Sequence, residues 1–597
     1  MRFRRQTTEG FSARGAESAE KSGGCFPLRT PRLCATLLFC ILHFAFCISA
    51  LAQLDNPAFL AALPAKASPA ATSGTTFYVD TGGNNANTGL SLAQAWQTTS
   101  YALTNAHFTN SFYTNATTIA WTGGSVFTDT NAIGFFGAAK YPITLCGSSA
   151  SPAVISNYWM QSPGNWWGQT LIVYQPSQVT FSNLTFTGQQ AWLVAQQSTN
   201  IGYTDLVLAD TNGVNCTNNV VTNCTFQYSG GFGIHLYTAS TGAISNMAIN
   251  GCVFNSNVFS GIQTDAFTDN TNQNNITAAS GTLVNIGITN CIISNIVGDV
   301  GNTGSGDGIF LVNVSNCIVT GCVVHDSGQS CENGSGGAAG ILFARSYGTV
   351  ATSNEVYNIH WNGSSDGNGI DFDNNCQNCT AQYNFVHGCD GSAYQMWNSY
   401  GGSVWRFNVG ISNGNKVDFA EMRWGNSGNT PTNNQVYNND FLSMVSGGQA
   451  IIITAAAGGS NIFVNNILFT TNNYAVNTAD TTHVTFQTND YWRGDGTAAK
   501  IDWNGTVYAS ASAWHTASGQ EKASPFAADP KWVNGYTVLT NYPAQMSGIT
   551  GWKLLSASSP LINQATGPYG FANGGIDFLG VNALGSTFNV GAVNASQ

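Results

Sequence analysis

The feature that most constrains the fold is a repeated pattern in which a polar pair is followed by Cys and then by alternating apolar residues. It occurs at Val221–Phe226, Ile249–Phe254, Ile288–Ile293 and Val319–Val324. Further along the chain, Asn takes the place of Cys, at Asn354, Asn384, Asn408, Asn439, Asn466 and Asn489. A second pattern, Gly followed by Ile, lies between these repeats and begins at Gly233, Gly261, Gly308, Gly340 and Gly369.

Repeats at a variable interval of roughly 20 to 40 residues, with short apolar alternations and no helical period, indicate a β-solenoid. In such a fold each rung buries its inward side chains against the rungs above and below. A propeller needs about 40–50 residues in each blade, and these repeats are shorter.

The composition agrees with short strands joined by turns. Only 8% of the 597 residues are charged, Gly contributes 67 residues, and 43% of the chain is apolar. Scarce Lys and Glu disfavour helices, and the apolar share is too high for a disordered chain.

Segments near the start of the repeats resemble a known fold family. Thr76–Asp80, the turn Gly82–Gly89 and Ala95–Thr98 together resemble the opening motif of secreted right-handed parallel β-helix proteins, the pectin-lyase-like superfamily. Ala139–Thr144 resembles a second piece of the same region. The resemblance implies an all-β fold, a right-handed parallel β-helix of roughly ten or more rungs.

These observations divide the chain into five segments. We predict a signal peptide at residues 1–52, a linker at 53–75, an N-terminal opening region and cap at 76–176, the right-handed parallel β-helix at 177–495, and a C-terminal capping region at 496–597. The cap would cover the last rung, because an open solenoid end exposes a sheet edge.

The start of the chain predicts secretion, to the periplasm or the extracellular space. Basic residues precede the apolar run Leu37–Ser49, and Ala50–Ala52 fits a small-residue cleavage site. An uncleaved anchor is the alternative, although the run is short for a membrane span.

Removing residues 1–52 leaves 11 basic and 26 acidic residues of the original 18 and 29, a net charge of −15. Such an acidic surface repels nucleic acid and anionic lipid. We expect no nucleic-acid partner, no membrane contact after signal removal, and a monomer.

The Cys and Asn positions of the first repeat should form one column. Parallel strands lie about 4.8 Å apart, so equivalent residues stack, and buried Asn side chains can satisfy one another and the backbone. Four Cys in a straight column do not match the tetrahedral geometry of zinc. In a secreted protein, two of Cys331, Cys376 and Cys389 could form a loop disulfide, and the sequence does not decide the pair.

Charge concentrates in three consecutive segments, Asp366–Asn374, Asp390–Asn398 and Lys416–Trp424. Nine charged residues fall between residues 366 and 423 of a chain with 8% charge. If the segments stack in one register, strand alternation turns one set of side chains outward. That set is Asp371, Asp373, Gln395, Trp397, Glu421 and Arg423.

Paired carboxyls on one face suit glycan hydrolysis, because inverting glycosidases place two carboxyls about 6.5–9.5 Å apart. We therefore predict catalytic roles for Asp371, Asp373, Glu421 and Arg423. The predicted substrate-binding residues are Gln395, Trp397, Trp424, Arg345 and Lys416.

A lyase is the alternative chemistry at the same face. Asp371, Asp373 and Glu421 would then hold Ca²⁺, a hard cation that prefers oxygen ligands, and Lys416 or Arg423 would remove a proton. No cofactor is expected for a hydrolase. The sequence lacks the motifs of polygalacturonase-type hydrolases and of pectate lyases, so the resemblance assigns no catalytic residue.

A second column carries His325, Tyr357 and His387, with Asp326 close in sequence. It is either a general-acid surface or a set of turn-capping polar groups.

The leading functional hypothesis is a secreted polysaccharide-active enzyme, hydrolase or lyase, with a glycan cleft on one sheet. The alternative is a non-catalytic glycan-binding or adhesin-like protein.

Overall fold

The structure is a computed structural model, and it describes the chain from residue 74 onward with gaps. The described ranges are 74–103, 115–129, 134–136, 141–156, 167–188, 202–211, 213–238, 242–266, 283–299, 305–331, 337–361, 366–416, 420–425, 431–454, 458–521, 526–532, 558–565, 576–581 and 588–593. The predicted signal peptide and nearly all of the predicted linker lie outside the described residues.

The described residues form three long sheets, and successive rungs add strands to each sheet in chain order, with sheet 1 divided into two short strands on two of the rungs. The strand pairs are parallel, except that Lys500–Trp503 pairs antiparallel with Thr506–Tyr508 at the end of the stack. The predicted right-handed parallel β-helix is confirmed.

Sheet 1 takes the first strand of each rung. Its strands are Thr75–Val79, Thr117–Trp121, Ile143–Cys146, Val179–Ser182, Cys216–Thr217, Val220–Thr222, Ile244–Asn250, Leu283–Thr289, Val314–Ser315, Ile318–Thr320, Val350–Thr352, Thr380–Gln382, Val404–Arg406, Gln435–Tyr437, Asn461–Val464 and Val484–Gln487.

Sheet 2 takes the second strand of each rung. Its strands are Val126–Phe127, Ala153–Ile155, Leu184–Thr187, Thr225–Gln227, Val253–Asn255, Ile292–Ser294, Val323–Ser327, Glu355–Ile359, Phe385–His387, Val409–Ile411, Asp440–Ser443, Ile467–Thr470 and Asp490–Arg493.

Sheet 3 takes the third strand of each rung and carries the predicted site. Its strands are Gly134–Phe136, Trp167–Tyr174, Gly202–Asp210, Phe232–Thr238, Ser260–Ala266, Asp307–Val312, Ala339–Ala344, Asn368–Asp373, Tyr394–Trp397, Ala420–Gly425, Gln449–Ile453, Tyr474–Thr478, Lys500–Trp503 and Thr506–Tyr508. The helices are a 3₁₀ turn at Leu92–Gln94, α1 at Thr99–Ala102 and α2 at Ala511–Ser518.

The core consists of like residues stacked along the solenoid axis. The rings of Phe186, Phe226 and Phe254 lie on successive rungs, with 5.0 Å between neighbouring centroids. This distance matches the spacing of parallel strands, about 4.8 Å, so each rung extends the apolar column of the rung before it.

The predicted Asn ladder is confirmed. Asn384 Nδ2 donates to Asn408 Oδ1 at 3.0 Å, and Asn408 Nδ2 donates to Asn439 Oδ1 at 3.0 Å. The second Nδ2 proton of each side chain reaches a backbone carbonyl. At the far end Asn489 Nδ2 donates to the buried Glu521 carboxyl at 2.8 Å, so an acid terminates the ladder. The ladder therefore satisfies its buried polar atoms.

Most cysteines of the described chain, Cys376 and Cys389 among them, are free thiols, and all but Cys146 are buried. A disulfide among Cys331, Cys376 and Cys389 is therefore a wrong expectation. Each sulfur instead lies near a different backbone carbonyl, those of His360, Phe343 and His387 respectively.

The C-terminal segment does more than cover the last rung. Helix α2 packs at that end, where Trp514 contacts the rings of Phe486 and Tyr491. The described residues beyond it pack against the outer face of sheet 2, with Trp532 and Val590 in one cluster with residues such as Phe469. This part of the tail covers the side of the solenoid. No helix in the described ranges combines the length and hydropathy that a bilayer span requires.

Candidate functional site

The outer face of sheet 3 brings Asp371, Gln395 and Arg423 into direct register on three successive strands. Stacking the three predicted segments at their first outward residues, Asp371, Gln395 and Glu421, pairs Gln395 with Glu421, which is wrong by two residues. Arg423 points outward, as predicted, and its neighbour on the following strand is Ile452.

A hydrogen-bond network joins these residues. Gln395 Nε2 donates to Asp371 Oδ2 at 2.9 Å and to Asp366 Oδ1 at 3.3 Å, and Arg423 Nη1 donates to Gln395 Oε1 at 3.1 Å. Because a guanidinium can only donate, the Gln395 carbonyl must face it and the amide must face the two carboxyls. Asn368 Nδ2 adds weaker donations to Asp366 and Asp371, at 3.2 and 3.4 Å.

Asp371 is the most perturbed acid of the network. Its side chain is buried, and Oδ1 has no hydrogen-bond partner in the structure. Burial raises the pKa of this carboxyl well above its ordinary range, and the nearby charges of Asp373 and Asp366 raise it further. The hydrogen bond from Gln395 and the charge of Arg423 oppose that rise. Burial in this network therefore favours the protonated form of the Asp371 carboxyl.

Asp373 is the next outward residue of the same strand. Its oxygens accept bonds of 2.7 Å from the backbone N–H and the side chain of Asn374. Burial raises its pKa to about 7, against the lowering effect of the Asn374 hydrogen bonds and the charge of Arg345. Two neighbouring acids thus differ in environment, the arrangement that separates acid and base roles in many active sites.

Arg345 is held beside Asp373 by a strained backbone. Its φ is +49°, in a turn where other rungs place Asn313, Asn374 and Asn398, also at positive φ. Asn tolerates the left-handed region better than Arg does. Arg345 thus takes a corner conformation shared by other rungs, and its substrate-binding role stays a prediction.

The Trp397 indole lies against the next strand, Ala420–Gly425, and the Arg423 guanidinium lies over the face of the indole. The Arg423 guanidinium carbon is 4.7 Å from the indole centroid, a cation–π distance. A Cβ at Gly425 would lie 2.0 Å from Trp397 Cζ3. The glycine therefore makes room for the indole, which remains partly exposed.

Glu421 does not belong to this face, which corrects the sequence prediction. It is fully buried, and it accepts hydrogen bonds from Asn413 N at 3.0 Å and Asn413 Nδ2 at 2.7 Å. Burial raises its pKa to about 8. On the two preceding strands of sheet 3 the position equivalent to Glu421 is occupied by Gly369 and Ala393. A side chain at this position, at the start of the strand, points towards sheet 2 and not towards solvent. Gly410 lies opposite, and a Cβ there would be 3.1 Å from Glu421 Oε2.

Trp424 is also misplaced by the sequence prediction. It points inward, is 1% exposed, and contacts Phe463 at a centroid distance of 5.8 Å. Its place is the core, because it alternates with the outward Arg423. Arg406, counted in the charge cluster, lies on sheet 1 and binds Gln382 and Tyr437.

Lys416 lies at the turn before the site, in an ion pair. Its Nζ is 2.8 Å from Asp390 Oδ2, and His360 Nδ1 is 3.5 Å from the same oxygen. Although burial opposes the change, hydrogen bonds from His360 and Lys416 hold the pKa of Asp390 below its ordinary value. Half of the Lys416 side chain is exposed, so the pair lies at the protein surface.

The predicted calcium triad is not formed, because Glu421 faces the interior while Asp371 and Asp373 face outward. In the described part of the chain, no group of three or more acidic, His or Cys side chains has an arrangement that could hold a metal ion.

The second predicted column is a stack of rings on sheet 2. Tyr357 lies 4.8 Å from both His325 and His387, with nearly parallel planes. Each His meets a carboxylate, His325 with Asp326 at 2.8 Å and His387 with the buried Glu355 at 3.2 Å. The sequence did not identify Glu355, and its place in the strand next to the His387 strand is the signal that could have found it. Another missed acid is Asp307, a fully buried carboxyl on sheet 3.

Comparisons with known proteins concern the fold alone. No protein-family model and no curated protein sequence matches the chain. A similar solved structure is the GH136 lacto-N-biosidase from Eubacterium ramulus, with 16% identity and a TM-score of 0.48 over 71% of this chain and 66% of that one. This chain therefore spans just under two thirds of that protein.

Two further structures show the same kind of likeness. The complex of XylC with xylose has 11% identity and a TM-score of 0.46, covering 87% of this chain and 98% of that one. Pectate lyase Pel9A has 14% identity and a TM-score of 0.37, covering 87% and 96%. The parallel β-helix fold of this chain is shown by its own three sheets of parallel strands and does not depend on these likenesses.

Proposed function

We propose that this protein is a secreted polysaccharide-active hydrolase and that Asp371 is its proton donor. The observation that carries the proposal is the buried Asp371 carboxyl, whose Oδ1 has no partner and whose pKa is raised, next to a second acid on the same strand. Glycoside hydrolysis needs one acid that is protonated and one carboxylate that activates water.

The network indicates which oxygen carries the proton. Asp371 Oδ2 accepts from Gln395 Nε2 at 2.9 Å, so the proton belongs on Oδ1. In the proposed step Oδ1 gives its proton to the glycosidic oxygen as the bond to the anomeric carbon breaks. Asp373 takes a proton from the water that attacks this carbon, which completes hydrolysis without a cofactor.

The spacing of the acids favours inversion of configuration. Alternate residues of a strand lie about 6.5–7 Å apart at Cα, and inverting enzymes separate their carboxyls by about 6.5–9.5 Å. Trp397 and Arg423 would hold the sugar, since aromatic and guanidinium groups present flat surfaces and fixed donors.

Two observations favour hydrolysis over elimination. One of the three predicted calcium ligands, Glu421, faces the core. The proposed proton-abstracting Lys416 is already paired with Asp390 at 2.8 Å. The alternative base, Arg423, donates to Gln395 Oε1 at 3.1 Å and lies over the Trp397 ring, so these contacts support neither the cation nor either candidate base.

The test is a glycan panel assayed for reducing ends and for the ultraviolet absorbance of unsaturated uronates. We expect reducing ends without unsaturated products. Asp371→Asn should lower kcat by at least about 100-fold, the usual contribution of a general acid. Asp502→Asn is the matched control, because Asp502 lies in the same outward column several rungs away. Wild-type turnover by Asp371→Asn would overturn the assignment.

A non-catalytic glycan-binding protein is the second candidate, and one observation favours it. Asp371 and Gln395 are only 4% and 3% exposed, so the network fills the surface between its strands. This candidate predicts glycan binding by calorimetry with no turnover in the wild type or in Asp371→Asn.

A further inference from the structure

A second polar cluster lies on the outer face of sheet 3, nearer the N-terminus. His235 Nε2 is 3.0 Å from Asp265 Oδ2 on the next strand. Gln263 Nε2 donates to the same oxygen at 3.3 Å, and Ser260 Oγ donates to Gln263 Oε1 at 3.1 Å. The His235 side chain is 7% exposed and that of Asp265 is 43% exposed, so Asp265 faces solvent from a supported position.

The two clusters share an organisation. In each, a Gln amide has its carbonyl fixed by a donor and its nitrogen directed at an Asp carboxyl. In each, an aromatic side chain stands nearby in the second outward column, Tyr237 here and Trp397 in the first cluster. Both aromatics are partly exposed. A polar pair with an adjacent aromatic is the composition that sugar recognition uses.

An apolar strip connects the clusters. The two intervening strands place Phe310 and Val312, then Leu342 and Ala344, in the same outward columns. Gln263 and Asp371 are three strand steps apart, about 14–15 Å at the usual spacing. The distance is too long for one sugar unit and suits an extended chain along the solenoid axis.

Charge distinguishes the second cluster from the first. Arg345 and Arg423 flank the Asp371 acid pair, whereas residues 141–344 contain no Lys or Arg. The ring of His235 is already paired with Asp265. A carboxylate or sulfate on the ligand would therefore meet Asp265 without a fixed cation, and like charges repel.

We infer that His235, Tyr237, Gln263 and Asp265 form a distal glycan subsite that takes an uncharged sugar unit. The inference deepens the proposed function and rests on it for the direction of the chain. Asp265 accepts sugar hydroxyls, Tyr237 packs on the sugar ring, and the apolar strip contacts the units between the two clusters. The substrate class is thus an oligosaccharide or polysaccharide whose sugar units are neutral between the reacting bond and the N-terminal end of the solenoid.

The experiment measures binding and turnover of neutral xylo-oligosaccharides from disaccharide to hexasaccharide, with oligogalacturonates as the charged comparison. The variants are Tyr237→Ala and Asp265→Ala, and Thr225→Ala on sheet 2 of the same rung is the control. We expect affinity for neutral chains to rise with length, and each site variant to weaken the long chains about ten-fold while disaccharides are unaffected. Oligogalacturonates should show no such gain with length.

Equal binding of long neutral chains by Tyr237→Ala, Asp265→Ala and Thr225→Ala would overturn the inference. So would the absence of a length-dependent gain, or a larger gain with oligogalacturonates. The proposed function fails separately. If Asp371→Asn keeps full turnover but Tyr237→Ala still loses affinity for long chains, the subsite stands and the catalytic assignment does not.

Discussion

Replacing Glu421 with Ala tests whether this residue supports the fold or performs chemistry. The backbone N–H of Asn413 donates to Glu421 Oε1 at 3.0 Å, and its side chain donates to Oε2 at 2.7 Å. Removal leaves the buried N–H without this acceptor, which costs about 1–3 kcal/mol. Loss of a buried methylene adds about 0.8 kcal/mol. We expect the free energy of unfolding to fall by about 2–4 kcal/mol.

The assay is equilibrium urea unfolding followed by tryptophan fluorescence, with a refolding control for reversibility. Asp373→Ala, which removes a partly exposed acid from the outer face, is the matched comparison and should change stability much less. Activity of Glu421→Ala, measured where the variant is folded, should equal that of the wild type. Wild-type stability together with lost turnover would refute the structural role.

The pH dependence gives a second readout of the same residue. Burial raises the pKa of Glu421 from 4.5 to about 8, so the protonated acid is the form that the folded state favours. Its contribution to stability is complete below about pH 4.5 and is lost as the pH rises towards about 8. Glu421→Gln cannot ionise, so wild type should lose stability relative to this variant across that interval. A constant difference from pH 4 to pH 9 would contradict this reasoning.

Three further predictions concern other contacts. Gly425→Ala places a methyl group 2.0 Å from Trp397 Cζ3, so the indole must move, and KM should rise several-fold with little change in Tm. Asn439→Ala removes the acceptor of two Asn408 donors and should lower the free energy of unfolding by about 2–5 kcal/mol, measured in urea; an unchanged midpoint would count against the ladder. Glu355→Ala removes the buried carboxylate that lies 3.2 Å from His387 Nε2 and should lower the free energy of unfolding by about 1–3 kcal/mol, measured in urea; an unchanged midpoint would contradict the pairing.

The fold could be predicted from the sequence because the solenoid makes its columns visible. Asn354 and Asn489 occupy one ladder because each rung repeats the same corner, and the repeated Asn marks that corner directly. The alternation of side chains along a strand also predicts correctly that Asp371 and Arg423 point outward, because this direction does not depend on which residues lie beside them on neighbouring strands.

The register of the third segment was not predictable from alternation, because a shift of two residues keeps the same parity. Glu421 lies two residues before an outward position and still points inward, because the chain turns a corner there. A Cβ at the equivalent Gly369 would lie 2.2 Å from Val386 Cγ1 in the core. The sequence signal was Gly410, because a glycine opposite Glu421 leaves the space that the larger Glu421 side chain fills.

The lateral packing of the tail was also beyond sequence reasoning. Asp440 Oδ1 accepts the backbone N–H of Ala592 at 2.8 Å, and Tyr383 donates to the carbonyl of Ile576 at 3.1 Å. These contacts join residues more than a hundred positions apart, and the segment lacks the repeat that predicts neighbours elsewhere.

The most direct test of the central claim compares Asp371→Asn on two substrates with the same sugar, one with a natural sugar leaving group and one with an activated aryl leaving group. A general acid is needed only when the leaving group must be protonated. We predict that kcat falls at least about 100-fold on the natural substrate and changes little on the aryl glycoside. Equal loss on both substrates, or no loss on either, would contradict the assignment of Asp371 as the proton donor.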